Sequence, residues 1–191
     1  MLTKSTEKTH TISKNNGSAV DKEMNSSELM ELFEDQLKDI LWAEMALIKA
    51  MPKMIAIATS VDLLALLKNH LAETEKQIDR LGEVFKTIDK KPSTKKCDAM
   101  EGLIAEAKDI MQDCVKSSKC DAGIIAAAQK IEHYEIATYG TLREFAETLG
   151  LKEAEKLLLE TLNEEKIADQ KLTEVAVSVV NMDAAVKQAK H

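Results

Sequence analysis

Seven ionisable residues fall on stripes that are otherwise apolar at helical period: Glu44, His70, Glu73, Glu132, Glu135, Glu165 and Asp169. The stripe through Phe33, Ile40, Leu47 and Met51 takes in Glu44, and the one through Leu66 and Leu81 takes in His70, Glu73 and Gln77. Ile124, Ala128, Leu142 and Ala146 share a stripe with Glu132, Glu135 and Tyr139, while Leu158, Leu162, Leu172 and Ala176 bracket Glu165 and Asp169. A single glutamate on such a helix is ordinarily a solvated face residue. Four stripes each carrying an acid are a different matter, because carboxylates gathered in an apolar interior repel one another and lose solvation unless protons or a cation neutralise them.

Counting along the chain places several of these acids at common heights, since paired helices rise together at about 1.5 Å per residue. Glu135 lies 15 residues before Gly150 and Glu165 lies 15 after it. Glu132 and Asp169, 18 and 19 residues away, form a second acidic level one turn further along. About the break at Ser60, Glu44 is 16 residues away and Glu73 is 13, a mismatch of about 4.5 Å. Glu44 to Glu73 is 29 positions and Glu135 to Glu165 is 30, which suggests a pseudo-twofold core. Glu44, Glu73, Glu135 and Glu165 are the primary candidate metal ligands, with His70, Glu132 and Asp169 as further ones. An oxygen-rich set with one imidazole suits iron, or manganese or another divalent metal, and bridging carboxylates allow two ions in one site. His133 lies about 100° round the helix from Glu132 and is read as a surface or supporting residue. Tyr139 is read as a core aromatic with its hydroxyl bonded, and Gln77 as a supporting partner.

The elements that must hold these residues are helical. Aromatics make up only 3% of the chain and there are two prolines, while Leu, Ala, Glu, Lys and Met abound. Residues 1–26 are polar and read as a tail. Helix spans are expected at about 27–58, about 61–88, about 122–148 and about 151–180, with 182–191 as a short second tail and 27–181 as one domain. Pro52 is expected to kink the first helix or end its regular part. Ser60 or Asp62 caps the second, Asp121 caps the third, and Gly150 ends it in the left-handed conformation. Between the second and third lies a charged connector, residues 89–96, and an amphipathic segment at about 98–115. Two antiparallel hairpins with one long crossover containing a short extra helix make an all-α four-helix bundle.

Composition also excludes classes. A net charge of −7 with signs mixed along the chain argues against nucleic acid. Glu44, Lys49, Lys53, Asp62 and Lys68 interrupt the most apolar region, so no run approaches the roughly 20 residues a membrane span requires. Cys97, Cys114 and Cys120 form no CxxC pair and read as reduced thiols, which with the polar N-terminus places the protein in the cytoplasm.

At these residues the sequence resembles the bacterial YciE/YciF-type ferritin-like family. The matching stretches are LFEDQLKDILWAEMALIKAMPKM, HLAETEKQIDRLGEVF, KKCDAMEGLIAEA, AAAQKIEHYEIATYGTLREFAETLG and LLLETLNEEKIADQKL, spanning about residues 28 to 176. The resemblance implies a ferritin-like four-helix bundle, a dinuclear iron-type site, a homodimer and a role in bacterial stress responses. It departs from the ferritin and rubrerythrin pattern, which places Glu-x-x-His on the second and fourth helices. Here Glu73 is followed by Lys76 and Glu165 by Ala168, His70-x-x-Glu73 reverses the order, and Asp169 stands where a fourth-helix histidine would be expected, at a different spacing. Two iron ions that react with oxygen or peroxide are the leading functional expectation. The rival is a non-enzymatic dimeric bundle whose acids hold a structural ion or protons. Mineral storage in a cage is a third reading, one that no feature of the sequence supports.

Overall fold

The computed structural model describes residues 27–112, 114 and 116–186. The expected polar segment 1–26 and the last residues, 187–191, lie outside this range. Six α-helices are described: α1 (Glu28–Ile57), α2 (Val61–Thr87), α3 (Asp98–Gln112), α4 (Ser118–Thr148), α5 (Lys152–Val175) and α6 (Asn181–Ala185). A π-helical stretch, Ala176–Val180, joins the last two. The fold is the all-α bundle that the periodicity predicts: α1 pairs with α2, α4 with α5, α2 packs on α5, and α3 lies in the crossover against α1 and α4.

Helix starts follow side-chain capping, in which an oxygen accepts an otherwise unpaired backbone N–H. Ser27 Oγ accepts from Met30 N at 3.2 Å, and Ser60 Oγ from Leu63 N at 3.4 Å, so Ser60 and not Asp62 caps α2. Asp121 does not cap α4. Ser117 does, accepting from Cys120 N, and the helix begins earlier than the sequence suggests. Asp121 is buried in the first turn of α4 and reaches across to the α1–α2 turn. There it accepts from Thr59 N at 2.7 Å, Thr59 Oγ1 at 2.6 Å and Ser60 N at 2.9 Å. Pro52 sits within α1, which continues to Ile57. Gly150 has φ 72°, the left-handed turn residue between α4 and α5. Gly123 is needed for another reason: a Cβ there would stand 2.7 Å from Ile110 Cγ2 of α3.

The core divides into two apolar clusters. One, toward the Gly150 end, is built on Phe33, Leu37, Ile40, Leu81, Phe85, Tyr139, Leu142 and Leu158. The other, toward the Asp121 end, is built on Met54, Leu63, Leu67, Ile124, Ile125, Leu172 and Ala176. The acids lie between them along every long helix. No helix among the described residues is long and apolar enough to cross a membrane.

Candidate metal centre

Four helices converge on the layer between the two clusters. Helix α1 contributes Glu44, α2 contributes His70, Glu73 and Gln77, α4 contributes Glu132, Glu135 and Tyr139, and α5 contributes Glu165 and Asp169. One ligand atom each from His70, Glu132, Glu135 and Glu165 lies within 4.8 Å of the others, a single cluster able to hold a metal ion. Glu44, Glu132, Glu135 and Glu165 are at most 2% exposed. His70 Nε2 lies 3.2 Å from Glu132 Oε1, and Tyr139 Oη donates to Glu44 Oε1 at 2.5 Å.

The hydrogen bonding of this layer is incomplete. Glu44 Oε2, His70 Nδ1, Gln77 Oε1, Glu132 Oε2, both oxygens of Glu135 and Glu165 Oε2 are buried with no protein partner. Orphaned polar atoms are rare in folded interiors because each costs about 1–3 kcal/mol. Here all but Gln77 belong to carboxylates or an imidazole with lone pairs to give, and His70, Glu132, Glu135 and Glu165 are the four residues of the cluster. Burial pushes Glu44 up to about 8, with the charge of Glu165 adding to it, and burial raises Glu165 to about 7. Burial and the neighbouring acids hold Glu132 and Glu135 well above the ordinary carboxylate range. Burial lowers His70 to about 4, which leaves its imidazole neutral and ligand-competent at pH 7. These donors fit a hard or borderline cation: the carboxylates supply its neutralising charge and the histidine a nitrogen.

Residues 28–185 match the family model described as a domain of unknown function, DUF892. The chain belongs to the DUF892 family. It is 44% identical over 165 residues to protein YciF of Escherichia coli K12, covering 86% of this chain and 99% of that one. The crystal structure of the E. coli stress protein YciF superposes with a TM-score of 0.78 over 81% of this chain and 98% of its own, at 44% identity. YcfI of Rhodopseudomonas palustris gives 0.74 at 47% identity, covering 77% and 94%. A Xanthomonas campestris protein, at 18% identity and TM-score 0.65, covers 83% and 97% and shares the fold. The resemblance read from the sequence thus holds for this DUF892 chain, and the fold is the ferritin-like bundle of its YciF relatives.

Within this DUF892 bundle the remaining sequence candidates take different places. Glu73 is half-buried and lines a cavity with His70 and Glu132, outside the four-residue cluster. Asp169 faces the outer side of the α4–α5 pair, where Gln129 Nε2 donates to its Oδ1 at 3.2 Å and His133 Nε2 lies 3.5 Å away. Gln77 does support the layer: its Nε2 donates to Glu165 Oε1 and, at 3.1 Å, to Glu164 Oε2. Sequence reasoning missed what lies behind it. Arg80 Nη1 donates to Glu164 Oε2 and to Thr161 Oγ1, both at 2.7 Å, and Arg80 Nη2 to Glu160 Oε1 at 2.7 Å. Arg80 follows Gln77 by about one helical turn, a spacing that would have placed it beside the candidate layer. Also unforeseen is a polar link between α1, α4 and the start of α3. Tyr134 Oη donates to Asp39 Oδ2 at 2.8 Å, the Cys97 thiol lies 3.1 Å from the same Tyr134 hydroxyl, and Met100 N donates to Cys97 Sγ at 3.3 Å.

Proposed function

We propose that this protein is a ferritin-like carboxylate protein that binds two iron ions in its bundle layer and uses them in oxidation chemistry. When bound, the ions supply one electron each, enough together to reduce dioxygen to peroxide or peroxide to water. His70, Glu132, Glu135 and Glu165 would hold the first ion, and Glu44, with its free Oε2, and Glu73 are the remaining ligand candidates; Asp169 would have to leave Gln129 and His133 to join them. The carrying observation is the set of buried lone pairs with no protein partner, drawn from four helices and centred on the cluster of His70, Glu132, Glu135 and Glu165. Side chains tuned this way lose their protons when a cation enters, so binding releases protons near neutral pH. Tyr139 fixes one oxygen of Glu44 through its hydroxyl, and Gln77 fixes one oxygen of Glu165. The two apolar clusters exclude bulk water on either side. The E. coli relative is designated a stress protein, which supports placing the activity in a stress response. In the same reading the chain is a cytoplasmic homodimer that binds no nucleic acid; its net charge of −7 supports the last point.

A second reading has its own supporting observation: with Glu44 at about 8 and Glu165 at about 7, protons alone can neutralise much of the layer. The bundle would then be a non-enzymatic interaction protein. Anaerobic titration of metal-stripped protein with ferrous ion, followed by air and absorption spectroscopy, separates the two. Binding of two ions per chain and a ferric charge-transfer band, both lost in Glu135→Ala and Glu165→Ala, is expected. Binding indifferent to both substitutions, or no stoichiometric binding, would leave the non-enzymatic bundle as the better account.

A further inference from the structure

Cys114 and Cys120 stand together where the crossover enters α4. Cys114 lies between Gln112, the last residue of α3, and Ser117, the cap of α4. Cys120 is in the first turn of that helix, its N–H held by Ser117 Oγ at 3.4 Å. Both belong to the apolar cluster at the Asp121 end, in which Cys120 is 1% exposed and Cys114 packs half-buried. The two side chains are within hydrogen-bonding reach of each other, and both are free thiols. Sulfurs that close can bond with little movement, because one of them lies on a connector and not in a helix. The third cysteine is elsewhere: Cys97 sits in the other cluster, where the Tyr134 hydroxyl and Met100 N occupy its sulfur. The paired thiols differ in access. Burial pushes Cys120 up to about 12, with Cys114 and Asp121 adding to it, so the half-buried Cys114 is the sulfur that meets an oxidant first.

We propose that Cys114 and Cys120 form a reversible disulfide when the chain meets hydrogen peroxide, an oxidation site separate from the acid layer. The Cys114 sulfur, as thiolate, attacks one oxygen of the peroxide. The O–O bond breaks, a sulfenic acid forms, and the departing hydroxide takes up the proton that Cys114 released. The Cys120 sulfur then displaces the hydroxyl from Cys114, and its own proton leaves with that group as a second water. Two thiols lose two electrons and one peroxide becomes two waters. Contact between the sulfurs makes the second step intramolecular, which offsets the weak acidity of Cys120. The bond ties the crossover to the helix turn that carries Asp121, the residue that holds the α1–α2 turn. Full-length protein in chelator, treated with a small excess of hydrogen peroxide, tests this by thiol counting after denaturation and by mapping of tryptic fragments. Two of the three thiols should disappear and return with dithiothreitol, with no cross-linked dimer on a non-reducing gel. Cleavage after Lys116 and Lys119 separates the two cysteines, so the fragment holding Cys114 should be found joined to the one that begins at Cys120. Cys97→Ser should leave the reaction unchanged, and Cys114→Ser should slow thiol loss about tenfold. Cys120→Ser should stop the reaction at a sulfenic acid that dimedone traps on Cys114, and Cys120→Ala repeats this test if the buried hydroxyl unfolds the turn. A sulfenic acid that persists on wild-type Cys114, a join between chains or a join to Cys97 would overturn the pairing. Thiols that all survive peroxide would overturn it too, and leave the pair as apolar filler. The acid layer takes no part in these readouts, so they stand whether or not it binds iron.

Discussion

Replacing Glu44 by glutamine should change how the stability of metal-stripped protein depends on pH. Glu44 is 0% exposed, and burial raises its carboxyl from 4.5 to about 8. Between those values the folded chain keeps a proton that the unfolded chain has released, so stability falls as pH rises through this window. One isolated group of this kind loses about 1.4 kcal/mol per pH unit, or about 4 kcal/mol between pH 5 and 8. The layer shares its protons among several acids, and about half of that is the expected share of Glu44. His70 acts with the opposite sign: held at about 4 when folded, it adds stability as pH rises toward its unfolded value of 6.5. The wild-type-minus-variant difference removes this contribution to first order. In Glu44→Gln the introduced side chain keeps a carbonyl to accept the Tyr139 hydroxyl but places an amide where Glu44 Oε2 has no partner, a penalty that does not vary with pH. The variant should therefore be less stable than wild type at pH 5 and gain on it by about 2 kcal/mol by pH 8. Urea unfolding in the presence of a chelator at pH 5, 6.5 and 8 measures this. Parallel stability curves would show that Glu44 does not hold a proton in the fold, and the electrostatic account of the layer would be wrong.

Two further outcomes follow from the supports of the layer. Asp121→Ala removes three hydrogen bonds that tie the α1–α2 turn to α4; because Thr59 is exposed and can turn to water, the loss should be about 2–4 kcal/mol, read as a fall in melting temperature of roughly 5–15 °C. Arg80→Ala frees Glu164 and, through Gln77, loosens Glu165, so ferrous affinity by calorimetry should drop about tenfold with stoichiometry retained; unchanged affinity would make the Arg80 group a surface ion-pair network and nothing more.

The helices and the acid layer are legible in the sequence because both depend on periodicity. Glu135 and Glu165 can be placed by counting from Gly150, since a tight turn fixes the register of two regular helices. Glu44 is legible because its neighbours at helical spacing, Ile40 and Leu47, are apolar and become buried. Asp121 misleads for a physical reason: a carboxylate near a helix start usually serves its own helix, but this one serves a turn 62 residues away. Nothing local distinguishes the two uses. Asp169 and Glu165 share a stripe in the sequence, yet one helical turn of drift carries Asp169 to the outer seam with Gln129 and His133. Periodicity resolves a face to about a quarter turn, which is too coarse to separate a buried ligand candidate from a residue at its edge.

A layer of buried acids weakens the fold that carries it, and the placement of its supports shows how the bundle tolerates it. The Gly150 turn and the apolar cluster around Phe33, Phe85 and Tyr139 secure one end; Asp121 and the cluster around Leu63, Ile124 and Leu172 secure the other. Each helix is thus held on both sides of its acid, so the carboxylates stay opposed although they repel. Arg80 sits outside this layer, where its carboxylate and hydroxyl partners satisfy it, and not among the orphaned oxygens that it could neutralise. An arginine placed within the layer would pair with some of these oxygens and offset part of their charge. The chain instead keeps its cation behind Gln77 and Glu164 and leaves the inner lone pairs free, an arrangement that stability alone does not favour and that a bound metal would explain.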